Sequence, residues 1–158
     1  MLHEDVKTLA DRLNDLYNRH DIANLSALHA ADFRFHSTAL PGGVTDKEGW
    51  KAMMETLWQT FPDLHNGIQD QFIVGDTVVM RINYSTAHLA PPAGDGGVEL
   101  VGVDISRYEN GVVQEEWLEV NEPSILQELA AEAAAAMVAR ANPNSARGAF
   151  GGPNWGVG

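Results

Sequence analysis

Residues 98–120 read VELVGVDISRYENGVVQEEWLEV, two strand-like runs broken by Asn110-Gly111. An Asn-Gly pair between such runs signals a two-residue hairpin, because both central positions of that turn need positive φ. On the first run Leu100, Gly102, Asp104 and Ser106 share one face, and Val101, Val103, Ile105 and Arg107 share the other. Across the turn Gln114, Glu116 and Leu118 share a face, and Glu115, Trp117 and Glu119 take the reverse. If the first-named faces line an interior, Asp104 and Glu116 come together on neighbouring strands. Two carboxyls in a partly dry site cannot both ionise easily, so one is poised as an acid or base near neutral pH.

Upstream, strand-like runs are expected from Asn66 to Val74 and from Val78 to His88, joined by a Gly75-Asp76 turn and followed by a loop at Pro91-Pro92-Ala93-Gly94. Helices come first. Val6, Leu9, Leu13, Leu16 and Tyr17 fall at helical spacing, and Asp21 can cap a shorter helix through Leu25 and Leu28 before Asp32-Phe33-Arg34-Phe35-His36 alternates as a strand. Thr45-Asp46-Lys47-Glu48 has capping-box spacing. It opens a helix whose stripe is Trp50, Met53, Met54, Leu57, Trp58 and Phe61, ended by Pro62. An alanine-rich helix is expected from about Ser124 to Ala141. Helices followed by a run of antiparallel strands predict an α+β fold, with helices packed on one face of a curved antiparallel sheet. Residues 1–140 form the expected domain. Residues 141–158 read as a Gly-, Pro- and Ala-rich tail, disordered or lying on another subunit.

With 10 Lys+Arg against 22 Asp+Glu, the formal charge of the 158 residues is −12. Eight carboxylates and one base, Arg107, lie between Asp95 and Glu122, a surface that repels nucleic acid and anionic membrane. The charged opening segment is unlike a signal peptide. The longest apolar run, Ala133 to Ala139, is far short of the ~18 residues of a membrane span, so a cytoplasmic protein is expected. There is no cysteine, which removes disulfides and thiol nucleophiles. The six histidines show no metal-ligand spacing, and no G-x-S-x-G nucleophile motif occurs, so neither metal nor other cofactor is expected. What remains is acid/base chemistry in a pocket. His36 and His88 are candidate pocket bases, and Tyr17 and Tyr84 can donate phenolic hydrogen bonds into a cavity.

Several segments together resemble the SnoaL-like polyketide cyclases, or ester cyclases, of the nuclear transport factor-like superfamily. They are Tyr17-Asn18-Arg19-His20-Asp21, His29-Ala30-Ala31-Asp32-Phe33, Phe61-Pro62-Asp63-Leu64, Gly75-Asp76-Thr77-Val78-Val79-Met80-Arg81, and Asp104 through Trp117. The resemblance spans roughly residues 5 to 130. It implies a cone-shaped sheet wrapped around helices, with a pocket at the open end and dimerisation through the outer sheet face, where Trp117 would lie. It also implies departures from the family pattern. The family's catalytic aspartate position holds Leu118, its usual histidine position holds Glu116, a pocket-histidine position on the preceding strand holds Asp104, and His88 matches a family histidine.

Residues and resemblance together predict a cofactor-free enzyme for a small apolar or aromatic carbonyl compound, of cyclase, isomerase or lyase type. Asp104, Glu116, His36 and His88 are its candidate catalytic groups, and Tyr17, Trp50, Met54, Trp58, Tyr84 and Leu118 its candidate substrate contacts. Leu118 also supports an alternative, a ligand-binding or dimerisation module that has lost the chemistry.

Overall fold

Asn110 and Gly111 both adopt positive φ, 52° and 79°, the geometry of a tight primed turn. The runs they join pair antiparallel as β5 (Asp95–Glu109) and β6 (Val112–Val120). The computed structural model describes residues 3–88 and 95–141, with side chains for 4–86 and 99–141. The expected loop at Pro91–Gly94, the tail after residue 141 and the side chain of His88 lie outside the described residues. Next to β5, β4 (Thr77–His88) pairs antiparallel with both β5 and β3 (His65–Val74).

The sheet is not antiparallel throughout. Its order is β2-β1-β6-β5-β4-β3, and β1 (His29–His36) runs parallel to β6. The reason is connectivity: β1 precedes the meander and returns beside its last strand, a joint that a hairpin cannot make. A short strand not anticipated from the sequence, β2 (Val44–Asp46), closes that edge. Register shifts in β1, β3, β4 and at Arg107/Tyr108 interrupt the ladders, and such bulges bend strands.

The concave face holds α1 (His3–Asn18) and α3 (Lys47–Thr60), with α4 (Pro123–Ala141) packed on α3. The stripe on α3 is buried as its spacing predicts. Its N-cap, however, is Asp46, whose carboxylate accepts from the Gly49 amide at 2.9 Å, and not Thr45. The helix begins at Lys47, one residue later than capping by Thr45 requires, because Asp46 is still paired with Arg34 in β2. Asp21 caps α2 (Ile22–Ala27) through the Asn24 amide, as expected. Phe33, Phe35, Val78, Ile82, Tyr108 and Val113 fill the core from the sheet side. No described helix is long and apolar enough to cross a membrane.

Candidate active site

The inward faces of β4, β5 and β6 and the apolar side of α1 and α3 enclose a cavity of about 80 Å³. Leu100, Asp104 and Ser106 point inward and Val101 and Val103 outward, as the alternation on β5 predicts. On β6 the period slips by one. Tyr108 pairs with Val113 and Arg107 with Glu115, so Gln114 is the extra residue of a bulge and bonds Asp32 in the solvent-exposed layer at 2.8 Å. Val113 therefore takes the inward position expected of Gln114, while Glu116 and Leu118 line the cavity as expected.

Asp104 and Glu116 meet in that cavity. In the register Asp104 faces Leu118 and Ser106 faces Glu116, so the two carboxyls are diagonal neighbours on adjacent strands. Asp104 is 4% exposed, and its Oδ1 accepts the Ser106 hydroxyl at 2.8 Å. Burial raises its pKa, opposed by hydrogen bonds from Glu116 and Ser106. Glu116 is raised well above the usual carboxyl range by burial, by the Asp104 charge and by donating to Asp104. The pair thus retains a proton where ordinary carboxyls are ionised, with Glu116 as donor and Asp104 as acceptor.

Two tyrosines face the pair. Tyr17 from α1 and Tyr84 from β4 pack in a tilted arrangement with ring centroids 5.6 Å apart. The Tyr17 hydroxyl is buried with no hydrogen bond. Burial, reinforced by the nearby carboxyls, holds both phenols protonated. A second, mainly apolar chamber of about 30 Å³ adjoins, sharing Tyr17, Phe35, Met54, Tyr84 and Leu118 and closed by Leu126 and Leu129 of α4.

Of the other expected site residues, Trp50 and Met54 line the main cavity. Trp58 does not, because its ring is taken up between Tyr17, at 5.5 Å, and His20, stacked at 4.9 Å. His36 lies on the opposite side of the sheet. Its Nε2 meets the Glu115 carboxylate at 2.6 Å and its ring stacks on Trp117 at 5.1 Å, because Phe33 and Phe35 take the inward positions of β1. Four polar residues not anticipated from the sequence line the cavity: Asn14, His29, Asn66 and Tyr108. Asn14 had a legible signal, since it interrupts the apolar face formed by Ala10, Leu13 and Tyr17. Asn66 is tied to Asn14 at 3.0 Å and to Asn18 at 2.7 Å. Among the described residues no three His, Asp or Glu side chains cluster as metal ligands.

A family model described as SnoaL-like polyketide cyclase matches residues 7–129. The chain belongs to the SnoaL-like polyketide cyclase family. Solved structures agree on the fold. This SnoaL-like chain is 25% identical to IdmH from Streptomyces antibioticus, proposed to be a polyketide cyclase, with a TM-score of 0.67 over 78% of this chain and 97% of that one. AclR from Streptomyces galilaeus, proposed to be a hydroxylase, is 22% identical, with a TM-score of 0.69 over 81% and 97% of the two chains. An NTF2-like protein of unknown function from Cytophaga hutchinsonii shares the architecture at 12% identity and a TM-score of 0.58, over 76% and 93%. No curated protein matches the chain. Relatives assigned to different chemistries share this fold, so the reaction has to be argued from the site.

Proposed function

We propose that this SnoaL-like protein is a cofactor-free enzyme that abstracts a proton next to the carbonyl of a small apolar or aromatic compound, leading to ring closure, isomerisation or elimination. The observation that carries this reading is the Asp104–Glu116 pair, holding one proton inside a cavity otherwise lined mainly by apolar and aromatic side chains. Asp104, as carboxylate, takes the proton from the carbon. The electron pair moves onto the carbonyl oxygen, which receives a hydrogen bond from Glu116 or the unpaired Tyr17 hydroxyl. The enolate then attacks within the same molecule, is reprotonated at another carbon, or expels a leaving group.

Leu118 does not argue against this chemistry. It faces Asp104 across the ladder, so a carboxylate is present at the same level of the cavity, carried by the neighbouring strand. Leu118 itself lines both chambers and contributes apolar contact.

The test is deuterium incorporation at the α-carbon of an aryl β-keto ester, followed by NMR. Asp104→Asn and Glu116→Gln are each expected to slow exchange by about 10²–10⁴-fold, the usual worth of a positioned acid or base. Exchange at the uncatalysed rate with the wild type, in a protein that still binds the ester, would establish the ligand-binding module instead.

The protein is further proposed to pair with a second copy through the outer sheet face. Phe72, Val79, Ile105 and Trp117 are successive cross-strand partners on four adjacent strands. They form an apolar row across that face, with Phe72 62% exposed.

A further inference from the structure

Ser106 stands beside both carboxyls of the acid pair and has no role in the proton transfer described above. Across the ladder it faces Glu116, along β5 it follows Asp104 by one pleat repeat, and Val78 of β4 pairs with it on the other side. The residue is buried, so bulk water does not compete for its hydroxyl. A serine hydroxyl carries a single proton. Here that proton goes to Asp104 Oδ1, at 2.8 Å, although Glu116 is the direct partner of Ser106 in the register. Glu116 has no such donor among the described residues, and its own bond to Asp104 favours its protonated form. Burial weighs on both carboxyls, but the hydroxyl favours ionisation of only one of them.

We propose that Ser106 is a positioning residue that decides which member of the pair is the base: by donating to Asp104 Oδ1 it holds the negative charge on Asp104 and leaves the proton on Glu116. This rests on the pair being the proton-transfer site, and it adds the group that fixes the direction of transfer. When the pair passes from two protons to one, the charge that appears sits on Asp104, and a hydrogen bond to a charged group favours that step by about tenfold. When the second proton leaves, Asp104 is already charged and bonded on both sides of the step, so Ser106 has little effect there. Loss of the hydroxyl therefore moves the low-pH limb of a rate profile and not the high-pH limb. A serine needed only for packing would lower the rate at every pH and move neither. The other titratable groups around the cavity are Tyr17 from α1, Tyr84 from β4, Tyr108 from β5 and His29 from β1, while α3 brings Trp50 and Met54. Burial holds the three phenols protonated and lowers the imidazole to about 4. All four are untouched by a change at Ser106, so a limb that moves belongs to the pair.

The experiment compares wild type, Ser106→Ala and Ser106→Thr by ¹³C NMR of the side-chain carboxyls and by deuterium exchange into ethyl benzoylacetate, both from pH 4 to 9. In the wild type Asp104 should ionise first and Glu116 last. In Ser106→Ala the Asp104 midpoint and the low-pH limb of exchange should rise together by about one unit, a loss of about tenfold in rate on that limb, with the high-pH limb in place. Ser106→Thr keeps a hydroxyl and should keep both at their wild-type positions. Glu116 ionising first in the wild type, a low-pH limb that Ser106→Ala leaves unmoved, or equal movement in the alanine and threonine variants would overturn the inference and leave the shared-proton pair standing. Both carboxyls ionising near their ordinary values in the wild type, or exchange at the uncatalysed rate, would end the proton-transfer reading and the inference with it. The order of ionisation in the wild type decides the matter even if Ser106→Ala does not fold.

Discussion

Glu116→Gln replaces a buried carboxylic acid with a neutral amide of nearly the same shape that still donates to Asp104. In the unfolded chain Glu116 ionises near its ordinary value of 4.5. In the folded protein burial and the Asp104 charge keep it protonated far above that value. Between those two values the unfolded state releases a proton that the native state keeps. Native stability from this group is therefore complete below the ordinary value and is lost as pH rises toward the raised one. The loss is about 1.4 kcal/mol per pH unit for one proton. Glutamine does not titrate, so its stability curve omits that loss. Two units of pH, from 5 to 7, should separate variant from wild type by up to about 3 kcal/mol, the variant gaining as pH rises.

The assay is urea unfolding of both proteins at half-unit intervals from pH 5 to 8, with slopes compared to confirm that the same surface is exposed. Only the difference between the proteins is diagnostic, because His29 acts in the opposite direction. Its pKa falls from 6.5 to about 4 on folding, so its contribution is present above 6.5 and is lost as pH drops toward 4. That term is common to both proteins and cancels. Parallel curves would refute the reasoning: Glu116 would then titrate alike in both states, and no dry shared-proton pair would exist.

Glu115, one residue away, should show the reverse sign. It is partly desolvated but bonded to His36 and Arg107 and is held below the usual carboxyl range, so its contribution is complete above the ordinary value of 4.5 and is lost as pH falls below it; Glu115→Gln should be less stable than wild type by a constant amount from pH 5 to 8, with the gap closing when the urea series is extended below pH 4.5. Gly102→Ala should destabilise by about 1–3 kcal/mol, since a Cβ there collides with the Glu119 carbonyl and comes within 2.9 Å of Val120 Cγ1; an unchanged urea midpoint would show that β5 and β6 can separate freely. Gly111→Ala meets no atom within 4 Å but keeps φ at +79°, so its cost should be purely conformational, about 1–2 kcal/mol. Trp117→Glu should convert a dimer to a monomer in sedimentation velocity, and a wild type that sediments as a monomer at high concentration would remove the dimer proposal.

His36 and His29 show how far a site can be read before folding. Phe33 and Phe35 are apolar and alternate with Arg34 and His36, so the outward direction of His36 was already written in the local pattern and needed only the period-two rule. The same rule reaches His29, which shares the parity of Phe33 and Phe35 and is buried with them. What the local pattern does not contain is a bulge, because one extra residue in a strand reverses every side chain beyond it. Gln114 exchanged faces with Val113 for the same reason. Trp58 belonged to a correctly read apolar stripe, yet its neighbours on α1 and at His20 decided that it packs and does not touch the cavity.

The turn at Asn110-Gly111, the buried face of α3, the cap at Asp21 and the inward face of β5 were determined by the sequence itself. Each depends on contacts within a turn or two of chain or on simple alternation, where the chemistry of a few neighbours suffices. Tertiary structure decided that β1 runs parallel beside β6, that a bulge resets the inward face of β6, and that Asp104 shares its proton with Glu116. Those outcomes depend on which distant segments meet and on how much water their meeting excludes, quantities that no local window of sequence contains.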